Sequence, residues 1–212
     1  MSAHAYSEDQ LVEQSAIGLF VELGWTTVSA MEEVFGANGT LGRETSDRVM
    51  LVVRLRAALE RLNPALPPEA IAAAVDELTR DRSAMSLAAA NREVYLLLKE
   101  GSKVSVPDKE HGGQKTERLR VIDWENPANH DFLLVSQFSV TGALYTCRPD
   151  LVGFINGLPL VVIELKKPGV PARAAFYENL TSYKHPQNGI PAMFVFNAPL
   201  EWRMTNFDRR TD

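Results

Sequence analysis

The chain has 212 residues, 45% of them hydrophobic, so it can bury a genuine core as one domain with an elaboration. Its formal charge is −5, from 22 basic and 27 acidic residues, which excludes a generally basic protein that coats nucleic acid. A local basic site stays open, because residues 1–100 hold 9 Lys/Arg against 15 Asp/Glu whereas residues 164–212 hold 7 against 5. The single cysteine, Cys147, excludes an internal disulfide and, with four scattered histidines, gives no zinc spacing. With no signal peptide and no stretch of about 18 apolar residues, the expectation is a soluble chain of the cytoplasm.

"SEDQLVEQSAIGLFVELGW" reads as an opening helix, with Ser7 or Asp9 as its cap, a broad apolar stripe through Leu11, Ile17, Phe20 and Leu23, and Gly24 as its stop. From Arg48 to Leu98 the helical pattern returns in three pieces, broken by the prolines at 64, 67 and 68, and carries no visible chemistry. Residues 101–118 are polar and Gly-rich, as an exposed loop or loose hairpin would be. Strand patterns then follow in "RLRVIDW", "DFLLVSQFSV", "LYTCRPDLVGFI" and "LPLVVIELK", which argue for a mainly antiparallel sheet. "PARAAFYENLTSYK" is expected to be a short helix and "IPAMFVFNA" a further buried strand. The fold class is therefore α/β with α+β character, helices lying on the faces of a sheet.

The chemistry concentrates in "RPDLVGFINGLPLVVIELKKPG". Glu164 and Lys166 are two apart on one strand and so share a face, while Asp150 lies on the preceding strand across the Asn156-Gly157 turn. A two-residue type I′ turn would pair 150 with 163 and set Asp150 on the face opposite Glu164. A three-residue turn with a bulge at Gly157 would pair 150 with 164 and bring the carboxylates side by side. The sequence leaves both registers open. If the two acids meet, a hard divalent ion such as Mg²⁺ relieves their repulsion, polarises a phosphodiester and acidifies a bound water, while Lys166 stabilises developing negative charge or helps orient that water. The competing reading is of ordinary strand-end acids beside a solvated lysine edge.

The run Arg148-Pro149-Asp150, Asn156-Gly157-Leu158-Pro159-Leu160 and Glu164-Leu165-Lys166 closely resembles the N-terminal nuclease domain of the R (HsdR-like) subunit of type I restriction-modification enzymes, within the PD-(D/E)xK superfamily. The likeness extends upstream through "DWENPANHDFLLVSQFSV" and downstream to residue 197. It implies a restriction-endonuclease-like core, a central mixed sheet flanked by helices, with a helical insertion at 41–100 and a catalytic sheet with its following helix and strand at 119–197. Residues 1–212 would form one endonuclease domain, the N-terminal part of a larger subunit. The resemblance also implies Asp150, Glu164 and Lys166 as catalytic residues, Asp150 and Glu164 as Mg²⁺ ligands with Glu13 of the first helix as a further candidate, and cleavage of unmodified double-stranded DNA after ATP-driven translocation.

The same family resemblance extends to a Gln-x-x-x-Tyr signature on the helix after the lysine. Here Tyr183 matches the tyrosine, and Asn179 stands where glutamine is usual, one methylene shorter. Arg148, Lys167 and Lys184 are candidate contacts to the DNA backbone, although each is equally an ordinary surface cation. No G-x-x-x-x-G-K-[ST] loop occurs, so ATP is expected to be used by the full-length subunit and not bound by these residues. Modification and specificity subunits are the implied partners, with no membrane. The alternative reading is a non-catalytic docking or regulatory module that keeps the nuclease fold, for which Asn179 is the visible hint.

Overall fold

The computed structural model describes residues 8–108, 111–166 and 170–197. The candidate cap Ser7 and the candidate DNA contact Lys167 lie outside the described residues. Helix α1 (Glu8–Glu22) ends at Gly24 as the sequence suggests, and the N–H of Trp25 closes the turn by donating to Phe20 O at 3.0 Å. Strand β1 (Thr26–Ser29) follows at once, a short element whose four residues carry too little pattern to be read from sequence. Helices α2 (Val52–Leu62), α3 (Pro68–Thr79) and α4 (Leu87–Glu100) come after β1, which pairs with β4, so the helical segment interrupts the sheet where the expectation had it precede a sheet confined to 119–197. Residues 102–119 form a hairpin of β2 (Ser102–Pro107) and β3 (Gln114–Leu119). Of "RLRVIDW", only Arg118 and Leu119 belong to a strand.

The sheet that carries the site contains β1, β4 (Phe132–Ser136), β7 (Leu151–Ile155) and β8 (Leu158–Ile163), in the order β1-β4-β7-β8. Strand β1 runs parallel to β4 and the other neighbours are antiparallel, so the fold is a mixed α/β arrangement with a mostly antiparallel central sheet flanked by helices. A small two-stranded ribbon, β5 (Val140–Thr141) with β6 (Thr146–Cys147), fills the connection between β4 and β7. Alternation along β4 divides its two faces. Leu133 and Val135 join Leu55, Leu59, Phe138 and Phe154 in the main core, whereas Leu134 and Ser136 line a cavity beneath α1.

After the sheet come α5 (Ala172–Ala174), a π-helical turn (Ala175–Leu180) and α6 (Thr181–Tyr183). The expected final strand "IPAMFVFNA" is instead opened by a short helix, α7 (Pro191–Phe194). Pro191 sits at the start of that helix, where its missing N–H costs no hydrogen bond, and Met193 and Phe194 still bury themselves as the apolar pattern required.

Candidate metal and nuclease site

The β7–β8 hairpin combines the two registers that the sequence left open. Its turn is the two-residue form, with Asn156 at φ 54° and Gly157 at φ 78°, and it pairs Ile155 with Leu158. Asn156 is wholly buried and bonded at both ends of its side chain: Asp131 N–H donates to its side-chain oxygen at 3.0 Å, and its amide donates to Val121 O at 3.1 Å. Gly157 is needed because a Cβ there would sit 2.5 Å from Leu51 O. The bulge lies inside the ladder, where Phe154 pairs with Pro159 but Gly153 pairs with Val161. Leu160 is the extra residue, and from there Leu151 faces Ile163.

That one-residue shift carries Asp150 opposite Glu164. The ladder of β8 stops at Ile163, so Glu164, Leu165 and Lys166 continue beyond it as an irregular segment. Asp150 holds this segment in place, since its Oδ2 accepts the Leu165 N–H at 2.7 Å across the hairpin. Helix α1 is positioned over the same sheet by Trp25, whose ring packs 5.1 Å from Phe20 and 5.0 Å from Phe132. A Cβ on Gly153 would come within 3.1 Å of that indole, so the glycine opposite the bulge also admits the tryptophan.

A cavity of about 700 Å³ results, lined by Glu13, Gln137, Asp150, Glu164, Lys166 and Asn179, among others. The Glu164 carboxyl is half-buried, and its pKa is pushed up to about 7, first by burial and then by the neighbouring Asp150 charge. The Tyr183 hydroxyl, the Asp150 backbone N–H and the Lys166 charge favour its ionised form. Its Oε1 nevertheless is buried with no hydrogen-bond partner. Tyr183 is in turn pushed above the ordinary tyrosine range by burial and by Glu164. Lys166 Nζ donates to Asn179 Oδ1 at 2.8 Å and to Glu178 Oε2 at 3.1 Å. Asn179 thus reaches the lysine from the π-helical turn despite its shorter side chain.

Glu13 faces the cavity from α1, with a raised pKa caused mainly by burial. Its Oε2 accepts from Gln137 Nε2 at 3.0 Å, and both the Asp150 and Arg148 charges reach it. Among the described residues no group of three or more His, Cys, Asp or Glu is close enough to hold a metal ion, so Glu13 does not complete a three-ligand set with Asp150 and Glu164. The pair alone suits Mg²⁺, which keeps several waters and takes one or two carboxylates, and the orphaned Glu164 Oε1 is a donor of the required kind. Arg148 is exposed near this acidic edge. Lys184 is not brought to the cavity: its Nζ lies 5.6 Å from the Phe176 ring and 5.4 Å from Phe194, and it borders a different groove.

Two contributors were missed by sequence reasoning. Glu178 pairs with Lys166, one position before the recognised amide. Gln137 adopts φ 58°, a left-handed conformation that costs a non-glycine residue on the order of 1–3 kcal/mol, and nothing in "VSQFSV" announces it.

The family model for the N terminus of the type I restriction enzyme R protein matches residues 5–208. The chain belongs to this family. A type I restriction enzyme endonuclease subunit, HindI of Haemophilus influenzae, is 32% identical over 195 residues, 89% of this chain and 18% of that protein. A putative type I endonuclease subunit, MjaIXP of Methanocaldococcus jannaschii, is 31% identical over 195 residues, 90% of this chain and 18% of the relative. The EcoprrI endonuclease subunit of Escherichia coli is 32% identical over 82 residues, 39% of this chain. This R-protein N-terminal chain therefore spans under a fifth of the length of the first two relatives. Among its described residues no helix is long and apolar enough to cross a membrane.

Proposed function

We propose that the chain is the Mg²⁺-dependent endonuclease module of a type I restriction R subunit, hydrolysing phosphodiester bonds of unmodified double-stranded DNA. ATP-driven translocation and the choice of recognition sequence would be supplied outside residues 1–212, the latter with the modification and specificity subunits, in the cytoplasm where that DNA lies. The observation that carries this reading is the bulge at Leu160, which sets Asp150 against Glu164 and leaves a buried carboxylate oxygen without a donor. A fold with no use for two opposed acids would avoid their repulsion, and here the protein pays for it with a carboxyl raised to about 7.

In this reading Asp150 and Glu164 hold the cation, which supplies charge neutralisation and an acidified water at the scissile phosphate. Asp150 also keeps the Leu165 backbone fixed, so the two carboxylates approach in one orientation. Lys166, held by Asn179 and Glu178, presents its charge at the same cavity, where it stabilises negative charge developing on the phosphate. Tyr183 supports the ionised form of Glu164. Arg148, exposed and with its charge reaching Glu13, is a candidate to meet a backbone phosphate.

A second reading, a docking or regulatory module that keeps the fold without cutting, is favoured by the lack of a three-ligand acidic set among the described residues. It is also favoured by the engagement of Lys166 with a neighbouring carboxylate. Plasmid cleavage by the reconstituted restriction complex with Mg²⁺ and ATP separates the two. Asp150→Ala, Glu164→Ala and Lys166→Ala are each expected to lower cutting by about 100-fold or more while ATP hydrolysis continues. Wild type that translocates without cutting would establish the docking reading instead.

A further inference from the structure

Gln137 is placed where the two halves of the acidic cavity meet. It directly follows β4, and its backbone N–H donates to Asp150 O at 2.9 Å, which ties it to the residue just before β7. Its side-chain amide points the other way, donating to Glu13 Oε2 of α1 at 3.0 Å. One residue therefore spans from the hairpin acid to the helix acid, and it does so at φ 58°. A left-handed position is ordinarily filled by glycine or asparagine, because other side chains crowd the backbone there. A long amide at such a position is economical only if its side chain is used.

We infer that Gln137 is a positioning residue of this cavity, fixing the Glu13 carboxylate so that a hydrated divalent cation seated on Asp150 and Glu164 meets a third acid through its water shell. The inference rests on the metal-binding reading proposed above. The contact between Gln137 and Glu13 is long-range in sequence, 124 residues apart, and it links α1 to the sheet at the site and not through the apolar core. A carboxylate left to rotate on α1 would face the cavity only part of the time. The amide, itself anchored through its own backbone to Asp150, removes that freedom.

The test is Mn²⁺ binding to the 212-residue chain, followed by the electron paramagnetic resonance signal of free Mn²⁺, together with thermal melting without metal. Gln137→Gly relieves the left-handed backbone and deletes the amide. The expected result is no fall in melting temperature but about a tenfold loss of Mn²⁺ affinity, the scale reported for removing groups that orient metal ligands. Gln137→Asn, which tolerates the same backbone and keeps an amide, should recover part of that affinity. In the Glu13→Gln background the Gln137→Gly loss should shrink, since the two residues act as one unit. If wild type binds Mn²⁺ and Gln137→Gly binds it equally well, the inference is overturned while the proposed function stands. If the Gln137→Gly loss is the same with and without Glu13, the positioning role is likewise overturned. Wild type that takes up no Mn²⁺ overturns the metal reading and this inference with it.

Discussion

Among the places where the described residues bury charge, two are finished differently. Around Arg43 the enclosure is complete. The guanidinium, fully buried, pairs with Glu33 through two hydrogen bonds, donates to Arg48 O at 2.7 Å and Ser139 O at 3.0 Å, and lies 4.0 Å above the Phe138 ring. At the hairpin, two like charges are set side by side and one Glu164 oxygen has no donor at all. Burial alone thus does not mark a functional charge. The Arg43 charge is satisfied on every side by the fold, whereas the acid pair keeps one oxygen unpaired, the position the proposed cation would take.

The harshest way to test that contrast is to break the finished enclosure. Arg43→Ala leaves Glu33 buried without its partner, which is expected to cost about 3–5 kcal/mol. That corresponds to a melting temperature lower by roughly 6–20 °C for a chain of this size, read by circular dichroism. A shift of only a degree or two would show that the Arg43 cluster is no more settled than the acid pair.

Glu164→Gln should act in the opposite direction, and its sign depends on pH. The folded-state pKa of Glu164, about 7, lies above its ordinary 4.5, so the folded chain holds this proton more tightly than the unfolded chain does. Its stabilising contribution is fully present below about 4.5 and is lost as pH rises through about 7. Without metal, Glu164→Gln is therefore expected to be more stable than wild type at pH 8, by up to roughly 3 kcal/mol, with the advantage vanishing below the ordinary pKa. Urea unfolding at pH 4 and pH 8 measures this, and equal midpoints for the two proteins at pH 8 would mean that the pair is already relieved from within.

The smallest effects belong to the lysine's supports. Asn179→Ala removes the amide that accepts from Lys166 and is expected to lower cleavage about tenfold, in keeping with a hydrogen bond to a charged group. Asn179→Gln should change it little, by no more than roughly half a kcal/mol, because the shorter amide already reaches Lys166. Cleavage unaffected by Asn179→Ala would reduce this part of the helix to packing.

Much of the architecture was legible in the sequence because it rests on period and punctuation. Helices α2 to α4 follow their apolar stripes and prolines, and β4, β7 and β8 follow their branched and aromatic runs; α1 stops at its glycine as expected, but Leu19, Val21 and Leu23 stay exposed, so the broad apolar stripe expected there is not a buried face. Asp150, Glu164, Lys166, Asn179 and Glu13 were all named from sequence, and the cavity is lined by all five. The hairpin register was not decided by the Asn156-Gly157 turn, which is regular. Its signals lay further along the strands: Gly153 inside one and Pro159 inside the other, on an edge where a missing N–H is tolerated. The final apolar run was misread as a strand because burial of Met193 and Phe194 looks alike in either conformation, and Pro191 settled it locally. Gln137 had no local signal, since its conformation comes from contacts with Glu13 and Asp150, both distant in sequence.

The most direct measurement is isothermal titration of the chain with Mn²⁺ at pH 8, comparing wild type with Asp150→Ala and with Lys103→Gln, at an exposed position of β2, as a control away from the cavity. One ion per wild-type chain, lost in Asp150→Ala and kept in the control, is the predicted result. Mn²⁺ uptake that Asp150→Ala leaves unchanged would contradict the claim that the opposed carboxylates are an open cation site.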